Sequence, residues 1–439
     1  MTVPVTSPTA PPPTGARPPL GALARSTPGR LTGLLALLVV AGLAFGAATV
    51  VGVRQRGGHL DAVRTRSGPL TVQAQQLYRA LSDADATAAS AFLSGGVESA
   101  AAARRYQQDI GAAGQALATA SGSGGVPVRV VQQLTTQLPV YTGLVEKARV
   151  YNRLGIPLGA AYLREASGLM RQTLLPAARS LYRSQTAGLA ADRSAAAGFP
   201  WLAVPVGVLL LAALLVAQRY LRRRTNRMFN RGLVVASAAG VVALLWLTVS
   251  WVALASHLGA ARDAGSAQID LFARIRITAL QARADESLTL VARGNGAAFE
   301  ADFGRRMTDL VGTDGHGGLI ASARAGADDE LRSRLDTVRA DVVAWQRAHR
   351  AVRALDDGGK YPDAVTLAIG SGKDSAATAF GRLDRHAGTA IDAADDRFTG
   401  QAGAAAASQT GAAIGLGLLA LVCVGGAAVG LQRRIAEYR

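Results

Sequence analysis

Apolar residues fall along this chain in two patterns. Four runs are continuous and uncharged: Leu31–Val53, Phe199–Gln218, Gly232–Ser256 and Gly411–Leu431. Each reaches the ~20 residues that a helix needs to cross a bilayer and is read as a membrane span. Between the spans the apolar positions recur at steps of three and four. Val131, Leu134, Leu138, Tyr141, Val145 and Ala148 form one such seam, and Leu331, Leu335, Val338, Val342 and Trp345 form another. Leu70, Leu77, Leu81, Ala84, Ala88 and Phe92 make a third stripe, with Ile277, Leu280, Ala284, Leu288 and Val291 as its counterpart. That periodicity predicts helices that bury one face. Gly-rich punctuation at 121–125, 155–159, 312–318 and 358–359 divides each long inter-span segment into four helical stretches.

The expected fold is therefore all-α: four transmembrane helices carrying two tandem four-helix bundles, at residues 54–198 and 257–410. The first and last helices of each bundle are expected to run straight into the flanking spans. Gly68-Pro69 and Leu138-Pro139 should break or kink theirs, because proline removes an amide donor and crowds the preceding turn.

The two halves of the chain also match one another. Ala84-Asp85-Ala86-Thr87 aligns with Ala284-Asp285-Glu286-Ser287, and Gly96 with Gly296. Further on, Tyr141 aligns with Trp345, Gly155 with Gly359, and Ser167-Gly168 with Ser371-Gly372. The expectation is an internal duplication, one span-bundle-span unit written twice. Two fused units could then replace a homodimer, giving a monomeric pseudo-dimer.

Composition supports helices: 49% of residues are hydrophobic but only 5% are aromatic, so the apolar content is mostly aliphatic and alanine. The net charge of +17 could suggest nucleic acid, yet the arginines mass beside the spans, where they act as topology signals. The segment 219–231 carries six arginines and no acid, and Arg17, Arg25, Arg30, Arg433, Arg434 and Arg439 flank the outer spans. By the positive-inside rule a Pro-rich disordered tail (1–30), the connector (219–231) and the C-terminal tail (432–439) are cytoplasmic. The two bundles are then extracytoplasmic, and the protein sits in the plasma membrane with both termini inside. The first run is far longer than the 7–15 residue core of a signal peptide, which favours a retained span. A single cysteine, Cys423, excludes an intramolecular disulfide.

Little here suggests catalysis. The five histidines lack metal-ligand spacing, and Gly370-Ser371-Gly372-Lys373 lacks the earlier glycine of a phosphate loop, since Leu367 stands there. No nucleophile-base pair is visible, so no enzyme activity, cofactor or metal is expected. The spans hold no mid-depth carboxylate or base, which argues against an ion path. Asp83, Asp85, Asp285 and Glu286 stand at matching places on the first helix of each bundle. They are candidate contacts for an outer partner, with a solvated face or an internal salt bridge as the plainer reading. Arg222, Arg223, Arg224 and Arg227 are candidate contacts for a cytosolic partner, or a topology determinant on anionic lipid.

Paired membrane helices beneath a four-helix bundle resemble the sensory half of bacterial chemoreceptors and sensor kinases, here in two copies. What departs from those proteins is the inside: no coiled-coil or kinase segment follows the second or fourth span. The motifs Leu77-Tyr78-Arg79-Ala80-Leu81-Ser82-Asp83-Ala84-Asp85-Ala86-Thr87-Ala88 and Tyr162-Leu163-Arg164-Glu165-Ala166-Ser167-Gly168-Leu169-Met170 resemble the actinobacterial GlnX family. That resemblance implies a membrane protein linking an amino-acid-binding lipoprotein of the GlnH type, outside, to the serine/threonine protein kinase G, inside. A scaffold of the cell envelope and an accessory component of amino-acid transport are the alternative functions.

Overall fold

The computed structural model describes residues 27–225, 230–260, 267–407 and 412–436. In chain order the helices are α1 (Thr27–Ala62), α2 (Gly68–Phe92), α3 (Ala100–Ser121), α4 (Val128–Arg153), α5 (Leu158–Leu169), α6 (Leu175–Ala196), α7 (Ala203–Thr225) and α8 (Arg231–Ala260). They continue as α9 (Ala267–Val291), α10 (Ala297–Val311), α11 (Gly318–Ala325), α12 (Asp329–Asp357), α13 (Tyr361–Ile369), α14 (Ala376–Ala407) and α15 (Ala412–Ala436). Two short π turns, Val63–Ser67 and Met170–Leu174, join α1 to α2 and α5 to α6. The described residues contain no β-strand.

The helices fall into two compact units. One comprises residues 1–55, 199–253 and 408–439, the other 56–198 and 254–407. Among the described residues four helical segments are long and apolar enough to cross a membrane: one within the helical run Gly29–Phe92, then Ala203–Arg223, Arg231–Ala253 and Ile414–Arg433. In the first unit Leu38, Phe45, Leu210, Leu214, Leu233, Leu247 and Leu431 turn inward, while Val40, Leu209, Leu245 and Leu421 face outward. An apolar outer face is what lipid requires, and apolar on both sides is how a membrane helix reads. Close approach rests on glycine. A Cβ at Gly232 would lie 2.5 Å from the Gly430 Cα, and one at Gly426 would lie 3.0 Å from the Gly232 carbonyl oxygen on α8. Gln218 donates to the Leu233 carbonyl and the Ser237 hydroxyl, and Asn230 donates to the Gly430 carbonyl, so short polar bonds pin the helix ends.

The second unit differs from the expectation of two tandem bundles. The segments 56–198 and 254–407 form one unit around a single continuous core, rather than two cores in series. The reason lies on α2 and α9, which pack against each other. Residues 80–89 of α2 are all buried, so this helix is enclosed on every side and cannot be the outer wall of a separate bundle. Around it pack α3, α6 and α9, and around α9 pack α10, α14 and α2.

Local predictions fare unevenly. The first half shows the four expected stretches, with α5, the second π turn and α6 forming the last. In the second half the expected turn at 312–318 is present, with Gly312 at φ +74° and Gly318 at φ +70°, a region open chiefly to glycine, while two expected stretches are split, at residues 326–328 and 370–375. Pro139 does not break its helix: α4 runs through it, held by the buried seam of Leu134, Leu138, Tyr141 and Val145. At the other proline the chain does adjust, since a π turn ends immediately before Gly68-Pro69. The expectation that last helices run straight into spans fails for α6, which ends at Ala196. Gly198, Phe199 and Pro200 lie outside any helix before α7 begins.

Candidate functional site

Burial of α2 and α9 carries their carboxylates inward. Asp83, Asp85, Asp285 and Glu286 are 3%, 2%, 0% and 1% exposed, which corrects the expectation that they are displayed to an outer partner. A buried charge is tolerated only when paired. Each of the four finds partners within the chain, and the plainer reading of an internal salt bridge describes them better.

Asp83 receives a forked bond from Arg105 of α3, with Nε and Nη2 both at 3.0 Å from its two oxygens. The same guanidinium donates from Nη2 to Asp384 of α14 at 3.2 Å, and Asp384 is gripped in turn by Arg276 of α9 at 2.6 and 3.2 Å. The chain of charges Asp83, Arg105, Asp384, Arg276 thus stitches the two halves of the sequence together. Burial raises the Asp384 carboxyl, but Arg276 and Arg105 outweigh it and hold the group below its ordinary range.

Asp85 is satisfied more softly. The Ser167 hydroxyl donates to it at 2.8 Å and the Tyr141 hydroxyl at 3.4 Å. Burial pushes its pKa up against the pull of Arg171, Ser167 and Tyr141. Asp285 lies between Arg171 Nη1 and Arg306 Nε, each at 2.7 Å. Its pKa too is raised by burial, with Asp85 adding repulsion that the two arginines oppose. Arg171 also reaches Asp302 at 3.2 Å and lies over the Phe299 ring, both on α10. Ser82, Asp85, Arg171, Leu175, Gln281, Ala284 and Arg306 enclose a cavity of about 10 Å³, room for at most one water.

Glu286 anchors a second cluster. Arg283 bonds it, Trp345 donates its indole N–H at 3.2 Å, and His349 Nδ1 lies 3.1 Å away. The other ring nitrogen of His349 is 3.0 Å from Glu300. An imidazole between two carboxylates must donate from both nitrogens, which makes it a cation. Burial opposes that charge, but the bonds to Glu286 and Glu300 prevail and bring its pKa to about 9. Phe303 stacks on the ring with centroids 3.7 Å apart. Nothing in these clusters aligns a nucleophile with a base; they are suited to holding helices in one arrangement.

Sequence reasoning found the carboxylates but missed their partners. Arg105 follows Asp83 by 22 residues and Arg306 follows Asp285 by 21, similar but not identical offsets. No local signal marks Arg171, Asp384, His349 or Glu300, which meet their partners only through the tertiary fold. In the first unit, Arg222 and Arg223 are exposed on the last turn of α7. The side chain of Arg224 and the whole of Arg227 lie outside the described residues, as do Arg17, Arg25, Gly411 and Arg439.

Residues 59–194 match the family model of an actinobacterial sensor domain. The match spans α2 to α6 and includes Asp83, Asp85, Arg105, Tyr141, Ser167 and Arg171. It supports a sensor protein of actinobacterial type with a signalling role. Comparison with curated proteins and with solved structures gave no match.

Proposed function

We propose that the chain is a transmembrane relay: an amino-acid signal outside the plasma membrane, delivered by a solute-binding lipoprotein, passes through the helical unit to a cytoplasmic serine/threonine kinase. The observation that carries this reading is the sensor-domain match over residues 59–194, bracketed by two apolar helices. The arginines of 219–231 orient the connector inward, so both termini are cytoplasmic and the unit of 56–198 and 254–407 is outside.

Duplication accounts for the pairing of α2 with α9. In each half a carboxylate of the first helix meets an arginine of the next helix and another meets an aromatic further along, although the pairs are not in the register of the sequence match. Asp83 with Arg105 and Asp85 with Tyr141 stand in the first half; Asp285 with Arg306 and Glu286 with Trp345 stand in the second. The contact between α2 and α9, one from each half of the sequence, supports the monomeric pseudo-dimer.

Binding of a partner with different affinity for two helix arrangements shifts their populations. A swing from 1:99 to 99:1 needs ~5.5 kcal/mol of differential affinity, within reach of a protein interface of ~1,600 Å². Because Asp85 and Asp285 are interior, the partner must bind elsewhere. Val97 and Leu154 are 85% and 65% exposed on neighbouring loops, with Gly96 packed on the Arg153 backbone.

In-cell photocrosslinking from Val97 and Leu154 outside and Arg223 inside, read by mass spectrometry, tests the relay. Recovery of a solute-binding lipoprotein from the first two and a kinase from the third is expected. Envelope proteins outside with nothing cytosolic inside would replace the relay with a scaffold.

A further inference from the structure

Helix α1 leaves its uncharged run with the sequence Arg54-Gln55-Arg56-Gly57-Gly58-His59. Arg56 comes three residues after Val53, the last position of that run, which is about 4.5 Å further along a helix and within the headgroup layer of a bilayer. Arg54 and His59 are exposed, but Arg56 keeps only 9% of its surface. It stands seven residues after Thr49 and eleven after Phe45, close to two and three whole turns, and so continues the inward face of α1 on which both are buried.

A guanidinium in that position needs an anion, because a buried charge is tolerated only when paired. Among the described residues Arg56 has no hydrogen bond and no ion pair. Burial alone lowers its pKa from the usual guanidinium value, and no carboxylate pulls it back. Asp192, the acid that α6 brings to this end of α1, is engaged elsewhere: His59 Nδ1 lies 3.6 Å from it and Arg66 Nη2 3.8 Å. Burial lowers the pKa of the next residue, Arg193, as well. Residues 54–66 hold Arg54, Arg56, Arg64 and Arg66 against Asp61 alone, so the segment is short of negative charge.

The two glycines are a separate observation. Glycine weakens a helix interior and is kept where something must come close to the backbone. Gly159 of α5 shows that use inside the chain, since a Cβ there would lie 2.9 Å from the Ala148 carbonyl oxygen of α4. A Cβ at Gly57 or Gly58 would meet nothing within 4 Å, so packing within the chain requires neither. They leave open space directly beside an enclosed, unpaired guanidinium.

We propose that Arg56 and the bare backbone of Gly57-Gly58 bind the phosphate of a phospholipid in the leaflet next to this end of α1. The planar guanidinium fork matches two phosphate oxygens, and the headgroup fills the space that side chains at 57 and 58 would take. The bound phosphate neutralises Arg56 and steadies the end of α1 against α6. Inorganic phosphate offers the same oxygens, but depth favours the lipid, whose acyl chains hold its phosphate at this level of the bilayer.

The test uses the full chain in detergent, stripped of lipid, and follows thermal unfolding with added dioleoyl phosphatidylglycerol, dioleoylglycerol or inorganic phosphate. A ligand held only by the native state raises the unfolding temperature. Phosphatidylglycerol is expected to raise it by several degrees, and the other two at the same concentration by less than a degree. Arg54→Gln is expected to keep the shift and Arg56→Gln to lose it. Arg56→Gln removes an unpaired buried charge, so without lipid it is expected to unfold no lower than wild type. Gly58→Leu, which fills the space and leaves the arginine, is expected to lose the shift too. Equal shifts in wild type and Arg56→Gln would overturn the site, and an equal effect of inorganic phosphate would overturn the lipid as its occupant. No partner protein is needed, so this result and the crosslinking result can fail separately.

Discussion

Asp109 of α3 is a carboxylate that the fold buries without full compensation. It is 6% exposed, and its Oδ2 has no hydrogen-bond partner. Burial and the nearby Asp83 charge raise its pKa from 3.8 to about 7, against the opposing pull of Arg79, Arg105 and Arg276. A raised folded pKa means that the native state binds the proton more tightly than the unfolded chain. Its stabilising contribution is full below pH ~4 and is lost as pH rises through about 7. Asp109→Asn should therefore raise the unfolding temperature at pH 8 by a few degrees and leave it little changed at pH 4, measured by thermal unfolding in detergent. His349 titrates in a higher window. Its pKa rises from 6.5 to about 9, so its contribution is full below pH ~6.5 and disappears as pH passes about 9. The wild-type protein should lose stability between pH 7 and 10, and His349→Gln should lose much of that dependence while being less stable at pH 7. Carboxylate positions on α2 and α9 were legible from the repeated motif. Their burial was not, because the stripe on each helix left their other faces free to be read as solvated.

Helix existence followed from periodicity and helix ends from glycine, but proline effects depended on what surrounded them. Pro139 is absorbed by the buried seam of α4, while Pro69 and Pro176 each follow a π turn. Sequence spacing cannot separate these cases, since a π turn adds one residue without changing composition. In the membrane unit the decisive positions are glycines where backbones touch. Gly232→Val would drive a side chain into the Gly430 backbone, whereas a Cβ at Gly425 meets nothing within 4 Å. Cys423 is buried near Gly240, on the same pair of helices, and reports on their packing. Its labelling by a membrane-permeant thiol reagent should accelerate severalfold in Gly232→Val and stay unchanged in Gly425→Ala.

For the molecule as a whole, four apolar spans and an all-helical fold were legible from hydropathy alone. The merging of two expected bundles into one core was not, because periodic stripes give which face is buried and not which helix covers it. Residues 80–89 of α2 carry that lesson: Ser82, Asp83, Asp85 and Thr87 read as polar surface and are interior. The connector has a testable role at this scale. Replacing Arg222, Arg223 and Arg224 with Ala should impair signalling to the cytosol more than insertion; an inverted topology in that variant would assign the arginines to orientation instead.

Everything in the relay depends on which side of the membrane each unit faces. In a Cys423→Ala background, single cysteines at Leu154 and Arg223 can be challenged in intact cells with a membrane-impermeant maleimide. The account predicts that Leu154→Cys labels in intact cells and Arg223→Cys only after permeabilisation. Labelling of Arg223→Cys from outside, with Leu154→Cys protected, would place the sensor-like unit in the cytoplasm and contradict it.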